Sequence, residues 1–149
     1  MAVKPIPDGY HTVTPYFIVK GAVRLIDFLK MAFDAVEISR SATPDGTVMN
    51  AELKIGDSMV MMGEANNQSL PMPIAIYLYV PDVDAVYRRA LAAGGTSLME
   101  PADQFYGDRN GGVKDPSGNQ WWIATHVEDV PPDEMAKRAD AHAKKRGGG

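Results

Sequence analysis

Asp115-Pro116-Ser117-Gly118-Asn119-Gln120-Trp121-Trp122-Ile123 is a tight turn that launches a strand. Pro116 presets a turn φ, Gly118 tolerates a positive φ, and Asn119 shares that tolerance. Trp121, Trp122 and Ile123 then begin a run of β-favouring residues. By itself this is a hairpin found in any kind of β-containing domain. It gains meaning from a paler counterpart earlier in the chain, Ile55-Gly56-Asp57-Ser58-Met59-Val60.

Working outward from these two turns, one order of elements occurs twice. Residues 12–19 are β-branched and aromatic and read as a strand, which Pro15 restricts to a sheet edge or to the strand's start. Ala22, Leu25, Ile26, Leu29, Ala32 and Phe33 fall at the spacing of one helix face. Residues 36–41 make a short strand, Thr43-Pro44-Asp45-Gly46 a turn, 47–55 a second arm, 59–62 a further strand, and 64–73 a polar linker. The order then returns with a strand at 74–80 and a helix capped by Asp82, which Gly94-Gly95 stops. Short strands follow at 96–99, 109–114 and 121–126. Aligning the halves pairs Tyr16 with Tyr77, Val19 with Val80, Leu25 with Val86, and Asn50 with Asn110. Two copies of so long a period imply an internal duplication rather than a solenoid. The expected fold class is therefore α+β, with two βαβββ units at about 12–64 and 73–127 inside one domain spanning 8–140. A surface helix is expected at 131–146, and a disordered tail at 147–149.

Composition narrows the function. The 149 residues are 45% hydrophobic and 23% charged, a globular balance. With no cysteine, disulfides, thiolate nucleophiles and Cys-based metal sites are excluded. No apolar run approaches the roughly 20 residues of a membrane span, and the first residues lack a signal-peptide core, so cytoplasmic residence is the expectation. A net charge of −4 argues against nucleic acid as partner. The basic cluster Lys144-Lys145-Arg146 reads as a solvated helix end. No phosphate-binding glycine loop, Ser-His-Asp set or His-Glu-x-x-His motif is present.

The doubled βαβββ order and the Asp115-Pro116-Ser117-Gly118-Asn119 turn resemble the vicinal oxygen chelate superfamily of glyoxalase I, extradiol dioxygenases and bleomycin-resistance proteins. Tyr10-His11-Thr12-Val13-Thr14-Pro15-Tyr16, Asp103-Gln104-Phe105-Tyr106-Gly107-Asp108-Arg109 and Ala124-Thr125-His126-Val127-Glu128-Asp129-Val130 are similar to its PhnB-like branch. The resemblance implies a curved, open-barrel mixed sheet with the helices outside, a concave cavity, and a cavity completed or bordered by a second chain. It also implies four cavity-facing metal positions, which read Thr14, Val60, Ala75 and Trp122 in this chain. None is a competent ligand for a hard divalent ion beyond a weak hydroxyl, so neither metal nor other cofactor is expected.

Strand alternation then sorts the side chains. Tyr16, Tyr77, Tyr79 and Trp122 would line the cavity, with Met62, Asn50 and Glu52. Phe17, Val19, Ile76, Leu78, Trp121, Ile123 and the set Met49, Ala51, Leu53 and Ile55 would form the core. Phe105, Tyr106 and Arg109 lie on a loop suited to border the cavity, with Arg109 able to hold a carboxylate or phosphate, or to form a local ion pair with Asp108 in a turn. Glu52 is the candidate general base, provided burial raises its pKa. His11 or His126 approaching Glu52 or Glu64 would make an unconventional metal or acid–base pair, and His142 belongs to an exposed helix.

Three functions fit these residues. One is a metal-independent homodimeric binder of a small, partly aromatic molecule. Another is a lyase, isomerase or dioxygenase with a non-standard site. The third is a dimeric interaction module whose aromatics form an interface.

Overall fold

The computed structural model describes residues 2–147, ordered as β1 (Tyr16–Val19), α1 (Ala22–Phe33), β2 (Val36–Ala42), β3 (Val48–Ile55), β4 (Ser58–Glu64), β5 (Ala75–Tyr79), α2 (Val83–Ala92), β6 (Thr96–Asp103), β7 (Asp108–Lys114), β8 (Gln120–His126) and α3 (Pro132–Gly147). Each βαβββ unit folds into its own four-stranded mixed sheet, β1-β4-β3-β2 and β5-β8-β7-β6. The first strand of each unit runs parallel to its last, and the other pairings are antiparallel. Among the described residues, no helix is long and apolar enough to cross a membrane. Gly147 closes α3 rather than opening a tail, and the remaining residues of the expected disordered tail, 148–149, lie outside those described.

The duplication extends to structural details. Both helices are capped by the end of the last strand in their own unit. Glu64 accepts the Gly21 and Ala22 amides at 2.9 and 3.0 Å, doing for α1 what glycine at its N-cap cannot. Thr125 accepts the Val83 amide at 2.9 Å and donates to the Val80 carbonyl at 2.8 Å. β2 and β6 also break register at matching places, after Glu37 and after Ser97.

One core serves both units. Phe17, Val19, Leu53 and Met62 from the first sheet meet Val113, Trp121 and Ile123 from the second, with Leu25, Leu29, Val83 and Ala90 from the helices. Trp121 is the joint. Its ring stacks on Phe17 with centroids 5.5 Å apart and tilts against Phe33 at 4.9 Å, both residues of the other unit. Burying an indole of about 200 Å² is worth roughly 5 kcal/mol before entropy is counted. Its one polar atom, Nε1, donates to Asp115 at 2.8 Å. The same buried carboxylate accepts the Ser117 amide at 2.8 Å, the Asn119 amide at 3.0 Å and the Asn119 side-chain amide at 2.9 Å. The turn and the aromatic core are thus a single hydrogen-bonded object.

Two expectations about facing need correction. Met49 is 57% exposed while Val48 is buried, because β3 opposes Ser41 and Ala42 with Asn50 and Val48 and so carries Met49 as an extra, bulged residue. Met62 pairs with Phe17 and lies wholly in the core, so it lines no cavity. The neighbouring Met61, paired with Tyr16, points outward instead.

Replacing Asp115 with Ala should cost about 3 kcal/mol or more in urea unfolding, since several buried donors lose their acceptor. In a Trp121→Phe background the cost of the same change should be smaller, because the indole donor is already gone. Equal costs in both backgrounds would contradict the coupling.

Candidate functional site

Because Phe17 and Trp121 stack in the shared core, their neighbours Tyr16 and Trp122 project to the opposite face of their own sheets. The single cavity expected from the sequence is therefore divided into two outer faces. No hydrogen bond or ring contact joins the two among the described residues. Tyr16 is 44% exposed on the first face, and Tyr77 and Tyr79 are 44% and 62% exposed on the second.

On the first face, Tyr16, Met61, Glu52 and Ser39 form a row across the strands. Tyr16 leans over Gly63, where a Cβ would meet the tyrosine oxygen at 2.9 Å and the Met49 carbonyl at 2.6 Å. Glu52 accepts hydrogen bonds from Ser39, at 2.5 Å, and from Tyr10, which arrives on the N-terminal segment. Those bonds hold the Glu52 carboxyl below its ordinary value despite partial burial, while burial and Glu52 push the Tyr10 hydroxyl up to about 12. Glu52 thus lacks the raised pKa that a general base near neutrality needs. Asn50 lies one pleat further along the same face.

The second face is richer. Tyr77, Trp122 and Gly112 form one row, and Tyr79, Ala124 and Asn110 the next. Trp122 lies flat over Gly112, where a Cβ would come within 2.5 Å of the ring. Ala124 is small and buried, so both tyrosines of β5 reach across β8 to polar groups on β7. The Tyr77 and Tyr79 hydroxyls donate to Asp108 Oδ2 at 2.7 and 2.9 Å, and His126 Nδ1 meets Asp108 Oδ1 at 2.8 Å. His126 Nε2 meets Asp129 at 2.7 Å. Asn110 donates to Tyr77 at 3.0 Å and Tyr106 at 2.7 Å, and accepts from Gln104 at 3.0 Å. Burial pushes the Asp108 carboxyl up, but the bonds from His126, Tyr77 and Tyr79 outweigh it and leave the group below its ordinary value. Burial and Asp108 raise the Tyr77 hydroxyl above the ordinary phenol range, and Asp108 does the same to Tyr79. Neither tyrosine is poised to ionise.

Other expected site residues lie elsewhere. Arg109 points to the helix side of β7, where it forks onto Asp84 at 2.9 Å twice and reaches Asp103 at 3.3 Å. It is therefore committed to ion pairs with these two, and not to the expected local pair with its neighbour Asp108. Phe105 packs against Tyr106 and against His142 of α3. Glu64 is spent on its helix cap, and His126 pairs with aspartates rather than with Glu52 or Glu64. Two open clefts, of about 910 and 370 Å³, follow the free edge of β5, and Tyr77 borders both. Of the charged groups on the rim of the larger, Asp34 and Arg89 are already paired at 2.6 Å, and Lys54, Asp57 and Asp82 complete it.

The position matching Trp122 on β4 is Met61 rather than Val60, because Tyr16 pairs with Met61 as Tyr77 pairs with Trp122. Val60 faces the core. The corrected set Thr14, Met61, Ala75 and Trp122 still offers neither imidazole nor carboxylate, so its donors do not fit a hard divalent ion. Sequence reasoning missed Asp108, Gln104 and the pairing of His126 with Asp108. A signal existed: Asn110 was already aligned with Asn50, and the same parity puts Asp108 on that face.

Residues 11–123 match the family model described as Glyoxalase/Bleomycin resistance protein/Dioxygenase superfamily. Uncharacterised proteins of Mycobacterium bovis and Mycobacterium tuberculosis are each 38% identical over 134 residues, covering 83% of this chain and 88% and 79% of their own. Among solved structures, TioX from Micromonospora sp. ML1 superposes with a TM-score of 0.67 at 23% identity, over 78% of this chain and 99% of that one. A PhnB protein from Bacillus cereus, described as a putative 3-demethylubiquinone-9 3-methyltransferase, gives 0.64 at 20% identity, over 77% and 99%. These two likenesses are of fold.

Asp108 first and Asp129 second raise the His126 pKa above its ordinary 6.5. The stabilisation is complete below that unfolded value and disappears as pH rises through the higher folded one. His126→Gln should therefore destabilise the protein most below about pH 6 and least in mild alkali. A pH-independent difference in urea midpoint would contradict this pairing.

Proposed function

The chain belongs to the glyoxalase/bleomycin resistance protein/dioxygenase superfamily, and from that premise we propose that it is a metal-independent binder of a small, partly aromatic molecule. The observation that carries the reading is the second outer face, where Tyr77, Tyr79, Tyr106 and Trp122 frame the hydrogen-bonded Asp108 and Asn110. Aromatic surface around a few fixed polar groups is the composition of a small-molecule site. A catalytic reading finds less support. The expected base, Glu52, is held ionised by Ser39 and Tyr10, and the metal positions carry no suitable donors.

Each face of the chain supplies one wall. In this reading the second wall comes from another copy, which sets its Tyr16 and Glu52 face opposite Trp122 and Tyr77. Exposure of Val36, Ile38 and Met49 beside that face, at 58%, 55% and 57%, supports a homodimer that covers them.

Protein purified without chelators should carry no stoichiometric Zn, Ni, Mn or Fe by elemental analysis, and one retained equivalent would contradict metal independence. A bound ligand should change tryptophan emission. Trp122→Phe should remove most of that change, whereas Trp121→Phe should leave it and cost stability. The reverse assignment would sink the proposed face.

A further inference from the structure

The hydrogen bonds of the second face have a direction, and Asp108 sets it. An ionised carboxylate only accepts, so the Tyr77 and Tyr79 protons both point at Asp108. The Tyr77 oxygen is then left to accept, and the Asn110 atom 3.0 Å from it must be the amide nitrogen. That orientation agrees with Gln104, which donates to the Asn110 oxygen at 3.0 Å. The same Asn110 nitrogen donates to Tyr106 at 2.7 Å. Tyr106 therefore receives a bond at its oxygen, and a neighbouring oxygen for its own proton is that of Tyr77, which already accepts from Asn110.

The charges around this face are equally one-sided. The two cations that border it are each held by two carboxylates, His126 by Asp108 and Asp129 and Arg138 by Glu128 and Glu134, while Arg109 is paired on the helix side and Lys54, across the cleft that Tyr77 and Tyr79 border, makes no ion pair among the described residues. Two cations against four carboxylates leave a net charge of −2, with His126 protonated. Neither of these two cations is left to hold an anion, and their excess of carboxylates repels one.

We propose that Tyr106 is the ligand's hydrogen-bond donor, and that the face takes an uncharged or cationic planar molecule through a carbonyl or amide oxygen while rejecting carboxylates and phosphates. This rests on the small-molecule reading above and gives it a ligand class. Trp122 and Tyr77 supply the stacking surface, which favours a positive ring over a negative one. Tyr79, whose proton is committed to Asp108, keeps lone pairs for a donor on the same ligand.

Three probes of one shape separate the possibilities: nicotinate, nicotinamide and 1-methylnicotinamide, which carry negative, zero and positive charge. Their binding to the full chain is read from the two indole N–H signals of 15N-labelled protein. Nicotinamide and 1-methylnicotinamide should shift the Trp122 signal, and nicotinate should bind at least about tenfold more weakly, with the gap narrowing as salt is added. Tyr106→Phe should weaken nicotinamide about tenfold, the loss of one hydrogen bond, with the free protein's Trp122 signal in place and only a small fall in melting temperature as Asn110 loses an acceptor. If nicotinate binds as tightly as nicotinamide, or Tyr106→Phe leaves affinity unchanged, the ligand class is overturned and the binding reading survives. If no probe shifts Trp122 at any soluble concentration, both are overturned.

Discussion

The Asp115 carboxylate is the constraint on which the other parts depend. It closes the turn after β7 through two backbone amides, orients Asn119, and satisfies the indole of Trp121. Asn119 in turn accepts the Ile74 amide at 3.1 Å and so fixes the entry to β5. With Trp121 pinned, its ring is available to Phe17 and Phe33 of the other unit. A buried carboxylate is costly unless every lone pair is used, and here four donors use them. Trp122, one residue on, is thereby sent to the outer face.

Duplication gave both sheets one framework, and their outer faces then diverged. In each, a tyrosine of the first strand crosses a small residue, Gly63 or Ala124, toward the third strand. On the first sheet the third strand offers Glu52, bonded to Ser39 and Tyr10. On the second, Gly112 takes the equivalent place and makes room for Trp122, while Asp108 and Asn110 gather the tyrosines. The first face is open and anionic at one point; the second is an ordered aromatic surface.

Much of this was legible in the residues. Helix spacing placed α1 at the bounds observed, and alternation assigned Phe17, Trp121 and Ile123 to the core and Tyr16, Tyr77 and Trp122 away from it. Alternation failed where the backbone breaks period. The bulge at Met49 reversed one side chain, and a one-residue slip in aligning β4 exchanged Met61 and Met62. Polar contacts were less accessible, because they join strands far apart in sequence. Nothing local announces that Asp108 will meet Tyr77, Tyr79 and His126, or that Glu64 will cap α1 across the sheet. Arg109 illustrates the same limit: a cation beside a loop of aromatics suggests a ligand anchor until Asp84 on the helix claims it.

In the proposed reading, a ligand site needs the outer faces of two copies. Sedimentation equilibrium on the unmodified chain, whose mass is 16.2 kDa, tests it most directly. Twice the chain mass is expected at micromolar concentration, with acrylamide reaching Trp122 less readily than in dilute, dissociated protein. A particle of single-chain mass whose Trp122 emission still responds fully to a ligand would contradict it.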